Sequence, residues 1–181
     1  MVAILLGTGF EEAEALVPAD LMRRAGIEVV LVGVDGAQIA GGHGIAVQAD
    51  RTLDGIDPEQ VELVMLPGGL GGVETIEASP AARKLIQQVW DVGRYVATIC
   101  AAPTLLARMG LLKGRRAVCY PGMEDQMEGA LPQPDAQVVV DGNLITGQAP
   151  GAAFPFALQL VETLKGPGAV EQVKRETHYR G

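Results

Sequence analysis

The sequence predicts a single doubly wound α/β domain, a mostly parallel sheet with helices on both faces. Three observations carry this expectation. First, short runs that are apolar at nearly every position, Val2–Leu6, Ile27–Val32, Leu63–Leu66 and Tyr95–Ile99, alternate with longer segments of helical period. Strands apolar throughout are those buried on both faces, the signature of a parallel sheet between helix layers. Second, the chain has 181 residues, close to the roughly 150 expected of one domain. Third, 48% of the residues are apolar and 20% charged, a globular rather than a disordered composition, and a chain of this size can close a core without disulfides or a structural metal.

The elements follow in order. After Val2–Leu6, a helical stretch runs from about Glu11 to Ala25 and is closed by Gly26 at the expected cap position. Pro18 inside it predicts a kink or a break. Ile27–Val32 is the second strand, and Ala37–Ala49 reads as a hairpin whose turn holds Gly41, Gly42 and Gly44. Leu63–Leu66 ends in Pro67-Gly68-Gly69. Ser79-Pro80 is a helix N-cap followed by proline at the first helical position, and that helix should stop at Gly93. Tyr95–Ile99 leads directly into Cys100 and a helix ending at Gly110. Ala117–Tyr120 is expected as a short fifth strand. Val138–Val140 and Leu144–Thr146 form a second hairpin around the turn dipeptide Asp141-Gly142. Helical stretches over 154–164 and 169–177 complete the chain. In such folds binding sites lie at the carboxyl ends of the strands.

Charge and composition narrow the partners. Lys and Arg number 14 against 22 Asp and Glu, a formal net charge of −8, so a polyphosphate backbone is repelled at long range and nucleic acid is not expected. No stretch reaches the roughly 18–20 apolar residues that span a bilayer. The N-terminal run Val2–Leu6 has no basic residue before it and is followed by Glu11, Glu12 and Glu14, unlike a signal peptide. The two cysteines, Cys100 and Cys119, form no CxxC pair. Reduced thiols in the cytoplasm are the expected state.

Candidate chemistry centres on Tyr95-Val-Ala-Thr-Ile-Cys100-Ala-Ala-Pro-Thr104. A strand runs into Cys100 and a helix begins within three residues, the arrangement of a nucleophile elbow, with Ala101 and Ala102 as its small neighbours. Such a sulfur lies near a helix N-terminus, where free amides and the dipole favour thiolate. A buried structural cysteine, a common fate of free Cys, fits the same local pattern. Glu11, Glu12 and Glu14 follow the first strand at the same sheet edge. One of them is positioned to serve as a proton shuttle, although acidic residues in a first helical turn also simply complement the dipole. Pro67-Gly68-Gly69 ends the third strand there, where glycine lets backbone amides approach an oxyanion. Gly69, Gly71 and Gly72 do not make a dinucleotide fingerprint, so no nicotinamide site is expected. His43 and His178 stand in no metal-ligand spacing, and both read as solvated. Cys119 reads as packing, and Trp90 as a core or interface residue.

Taken together, Gly9-Phe-Glu-Glu-Ala-Glu14, Asp20-Leu-Met-Arg-Arg-Ala-Gly26, Val64-Met-Leu-Pro-Gly-Gly69, Ile99-Cys-Ala-Ala-Pro103 and Ala149-Pro-Gly151 resemble the ThiJ/PfpI superfamily, in the branch of the Parkinson-disease-associated deglycases and bacterial YajL proteins. The motifs occur in the family's order across nearly the whole chain. The resemblance implies a flavodoxin-like three-layer sandwich and a homodimer. It implies that Cys100 is the reactive cysteine, with Glu14 the protonated carboxyl beside it, and that Gly69 and Ala101 supply oxyanion amides. It matches Arg24 to an arginine that binds anions at the mouth of the site. Two departures stand out. Tyr120 occupies a position where several relatives carry histidine, and Gln148 replaces an arginine, which weakens the family's anion pocket. Ala101 stands where the peptidase branch has histidine, which argues against proteolysis.

The activity the resemblance implies is a cofactor-free, metal-free glyoxalase or deglycase acting on small carbonyl substrates, methylglyoxal, glyoxal or their early thiol and amine adducts. Substrate contacts are assigned to Arg24, Tyr120 and Gln148. A redox sensor or oxidative-stress chaperone working through oxidation of Cys100 is the alternative, and another small-molecule hydratase or hydrolase of the superfamily is the third reading.

Overall fold

The computed structural model describes residues 1–180, and the all-apolar runs form the middle of its sheet. The first half of the chain comprises β1 (Val2–Leu6), α1 (Glu12–Arg24), β2 (Val29–Gly33), the hairpin strands β3 (Gln38–Ala40) and β4 (Ala46–Gln48), β5 (Arg51–Thr52) and β6 (Leu63–Leu66). Next come α2 (Leu70–Ala78), α3 (Pro80–Asp91), β7 (Tyr95–Ile99) and α4 (Pro103–Arg108). The remainder holds β8 (Arg116–Ala117), β9 (Leu131–Pro132), β10 (Val138–Asp141), β11 (Leu144–Gly147), α5 (Ala153–Lys165) and α6 (Pro167–Thr177).

Seven strands form one sheet in the order β10-β11-β7-β6-β1-β2-β5. Every neighbouring pair is parallel except the β10–β11 hairpin. Strands β1 and β6 are buried at every position, which is why their sequences show no alternation. The chain runs from β1 outward to β2, then returns to the other side of β1 for β6, β7 and β11. Right-handed crossovers in opposite directions put α1 and α3 on opposite faces. α1 packs on α5 and α3 covers β6 and β7. The gap between β1 and β6, where the strand order reverses, is where ligands enter such sheets. Register carries chemistry to that point: Ile4 pairs with Met65 and Met65 with Ala97, so the residues following β1, β6 and β7 emerge side by side.

Several expectations are met in detail. Ser79 Oγ accepts from Ala82 N–H at 3.2 Å, and Gly26, Gly93 and Gly110 all close helices at positive φ. Others need correction. α1 is not broken at Pro18, because the proline ring is buried in the core and packing outweighs the hydrogen bond that Glu14's carbonyl loses. The expected strand Ala117–Tyr120 ends at Ala117; β8 pairs only with β9, in a separate small sheet. Val118 N–H turns instead to Thr146 Oγ1 at 3.0 Å. The second hairpin turns one residue later than expected: Asp141 pairs with Leu144, so Gly142 and Asn143 form the loop. Gly142 alone has positive φ there, the pattern of a type II′ turn. α2, β5 and β9 have no local signal in the sequence.

Ser79→Ala should lower stability by about 1 kcal/mol, the usual worth of an N-cap, read as a reduced denaturation midpoint. An unchanged midpoint would show that α3 does not depend on this cap.

Candidate active site

The site begins with a strained backbone. Cys100 has φ +65°, a left-handed conformation that costs a non-glycine residue about 1–3 kcal/mol. Tertiary hydrogen bonds hold it there. Cys100 N–H donates to the Gly147 carbonyl at 3.0 Å, and Tyr120 N–H donates to the Cys100 carbonyl at 2.8 Å. Below, Thr104 Oγ1 donates to the Ala101 carbonyl at 2.8 Å. The result is the elbow expected between β7 and α4, with the Cys100 residue only 9% exposed.

Glu14 reaches this thiol from the first turn of α1. Its side chain is fully buried, and its Oε2 accepts from Gly68 N–H at 2.7 Å. The Cys100 thiol interacts with the same carboxyl, yet Oε1 is left without a well-formed hydrogen bond. A buried carboxyl with an unserved oxygen is disfavoured as an ion. Burial pushes Glu14 up to about 7, with the Gly68 amide and the thiol opposing the rise. Gly68 has no side chain for a steric reason: a Cβ there would lie 2.5 Å from Glu14 Oε2 and 2.7 Å from Cys100 Cβ.

The amides expected from Gly69 and Ala101 do point at the sulfur and favour its thiolate. Gly69, at φ +83°, is turned so that this becomes possible. They do not prevail in the resting site. Burial first, then the Glu14 charge, push the Cys100 thiol up to about 12, so the thiolate expected from the helix terminus is not the resting form. α4 is only six residues long, a weak dipole. The thiol therefore holds its proton at rest, Glu14 exchanges its own near neutrality, and the carboxyl is the group placed to accept the proton when sulfur reacts.

Above Cys100 opens a cavity of about 580 Å³, within the range of small-molecule sites. Tyr120, Leu70, Met123 and Glu11 are among its lining residues, so the tyrosine stands where substrate contact was expected. Two other expected contacts lie elsewhere in this chain. Arg24 closes α1, ten residues or about 15 Å along the helix from Glu14, and pairs with Asp20 at 2.9 Å. Gln148 turns away, its Nε2 donating to the Pro134 carbonyl at 2.8 Å. Leu70 and Met123 were not singled out in the sequence. The apolar start of α2 gives no local signal because Gly71 and Gly72 interrupt the helical pattern.

His43 is exposed but not merely solvated. Glu12, buried at the start of α1, accepts from His43 N–H at 2.7 Å and from Ile45 N–H at 3.3 Å, and its Oε2 lies 3.0 Å from His43 Nδ1. The Glu12 hydrogen bond, ahead of the nearby charges, raises the His43 pKa. Glu11, Glu12 and His43 bring ligand-type atoms within 4.8 Å of one another, but Glu12 Oε1 already accepts two amide bonds. The trio is best understood as the latch fastening the β3–β4 turn to α1. Cys119 is buried and free, in keeping with a packing role.

Gly68→Ala should separate Glu14 from Cys100 and destabilise the fold by about 1–3 kcal/mol through overpacking. The checks are a denaturation curve and the alkylation rate of Cys100; a variant matching the wild type in both would mean the site has slack that this geometry denies.

Comparison with known proteins places this arrangement in a lineage. Residues 1–163 match the model of the DJ-1/PfpI family. The chain is 36% identical to Protein dj-1beta of Drosophila melanogaster over 174 residues, 95% of this chain and 93% of that one. It is 33% identical over 165 residues to Deglycase PH1704 of Pyrococcus horikoshii, covering 91% and 99% of the two chains. Among solved structures, Drosophila melanogaster DJ-1beta superposes with a TM-score of 0.95 at 35% identity, over 99% and 98% of the chains. Oxidized Toxoplasma gondii DJ-1 gives 0.94 at 31% identity, over 99% and 98%. With the fold, the order of motifs and the family match in agreement, this chain belongs to the DJ-1/PfpI family.

Proposed function

We propose that this protein is a cysteine-dependent deglycase or glyoxalase that converts methylglyoxal, glyoxal or their early adducts into 2-hydroxy acids. The observation that carries the reading is the buried Glu14 carboxyl, brought to about 7 beside a cysteine in a strained elbow. A value near neutrality supplies both an acid and a base form at working pH. Relatives named deglycase support a reaction of this type.

The chemistry is redox-neutral overall and needs no cofactor. Cys100 sulfur bonds to the aldehyde carbon while its proton passes through Glu14 to the carbonyl oxygen, giving a hemithioacetal. The Gly69 and Ala101 amides face the sulfur and would steady the developing oxyanion. Glu14 then takes the proton from the sulfur-bearing carbon, and a proton returned to the neighbouring carbon leaves a 2-hydroxy thioester. Water cleaves that ester, releasing the 2-hydroxy acid and the thiol. Tyr120 and the apolar wall would pack against the substrate. The same reading includes a homodimer in the cytoplasm, with both thiols reduced.

A second reading is kept because of the same pair. A Cys100 sulfinate would be a favourable partner for a protonated Glu14 and the two amides, and an oxidized DJ-1 is among the similar structures. Peroxide titration followed by intact mass tests it: selective addition of two oxygens at Cys100 supports sensing, and prior oxidation of methionines opposes it.

For the enzymatic reading, wild-type protein should release 2-hydroxy acid from methylglyoxal and Cys100→Ser should not; release by neither would overturn it. Glu14→Gln should leave Cys100 open to alkylation while turnover falls by roughly 10²–10⁴-fold. Because Glu14 is neutral below its raised pKa and ionised above it, activity limited by the base form should climb as pH rises through about 7. A flat profile from pH 6 to 8 would remove Glu14 as the base.

A further inference from the structure

We propose that Glu11 makes the cavity above Cys100 a charge filter, admitting α-oxoaldehydes whose remote end is neutral or cationic and disfavouring those whose remote end is anionic. Naming α-oxoaldehydes rests on the function proposed above. The charge preference belongs to the cavity and extends to any reagent that must cross it to reach the sulfur.

The cavity is unbalanced in charge. Glu11 is its one carboxylate, and no lysine or arginine is among the lining residues. Leu70 is 64% exposed and Tyr120 47% exposed, so the walls offer apolar surface rather than counter-charge. A single charge beside low-dielectric walls acts further than the same charge in open water.

Glu11 is also fixed in place. Its backbone N–H donates to the Gly68 carbonyl at 3.0 Å, tying it to the glycine that holds Glu14, and its side chain is only 19% exposed. His43 Nδ1 lies 3.5 Å from Glu11 Oε2 and 3.0 Å from Glu12 Oε2. One imidazole thus serves two carboxylates, and the group stays net negative even with the ring protonated. The candidate cations are directed elsewhere: Arg24 pairs with Asp20, and Arg108 pairs with Glu77. An anionic end entering this space meets repulsion from Glu11 and no donor cation, while a cationic end gains a partner.

The test uses two methanethiosulfonates, one carrying trimethylammonium and one carrying sulfonate. The Cys100 sulfur displaces a sulfinate from either reagent and keeps the charged alkylthio group as a mixed disulfide. Rates at Cys100 are located by peptide mass and normalised to a free small thiol. The normalised cation-to-anion ratio should be about tenfold in the wild type, the scale of one partly screened unit charge at close range, and should fall severalfold in Glu11→Gln. Added salt should shrink the wild-type ratio as well, a check that needs no folded variant. A ratio near one in the wild type at low salt overturns the proposal.

The same comparison by turnover uses phenylglyoxals bearing a para-trimethylammonium or a para-carboxylate group. If neither is turned over and methylglyoxal also yields no 2-hydroxy acid while the reagent ratio holds, the enzymatic reading fails and the filter stands. If both are turned over equally and the reagent ratio is one, the filter fails and the enzymatic reading stands.

Discussion

The organisation of this protein depends on the meeting of a buried carboxyl, a buried thiol and a backbone amide that has no side chain in the way. Glu14, Cys100 and Gly68 come from α1, the end of β7 and the end of β6, three elements joined only by the sheet. The Gly68 amide serves one carboxyl oxygen at 2.7 Å, and the other is left poorly served. A fully satisfied carboxyl would stay ionised and inert. An unsatisfied one holds its proton near neutrality, the condition for passing it to and from sulfur.

That meeting imposes costs on the surrounding structure. Cys100 adopts a left-handed backbone, and two tertiary hydrogen bonds, from Cys100 N–H to Gly147 and from Tyr120 N–H to Cys100, maintain it. The segment after β8 pairs with no strand, so that Tyr120 lies at the elbow instead of extending one. The interruption of helical bonding at Pro18 falls on the carbonyl of Glu14 itself. The β3–β4 turn is latched to Glu12, two residues before Glu14, beside Glu11 at the cavity. Function and fold thus draw on the same short stretch, Glu11 to Glu14.

Much of this was legible in the sequence because it is local. All-apolar runs announce buried parallel strands, Ser79-Pro80 announces a helix start, and a strand running into Cys100 beside small residues announces an elbow. The choice of Glu14 came from resemblance to a family, since three neighbouring carboxylates have equal local claims. Glu12 and Glu14 are both buried, and only the contacts with Gly68 and Cys100 set Glu14 apart. Interactions between distant segments were not legible. Nothing near Val118 shows that its amide turns to Thr146, and nothing near His43 shows a buried Glu12 waiting for it. The protonated resting thiol was missed for the same reason, because the burial and the Glu14 charge that oppose the helix amides are tertiary.

The most direct test of the account is the titration of Glu14 itself, followed by carboxyl ¹³C NMR with Glu14→Gln to assign the resonance. One carboxyl should titrate near pH 7 and vanish in the variant. If the Glu14 carboxyl instead titrates below about pH 5, in the ordinary range, the proton-sharing pair does not exist and the proposed chemistry loses its base.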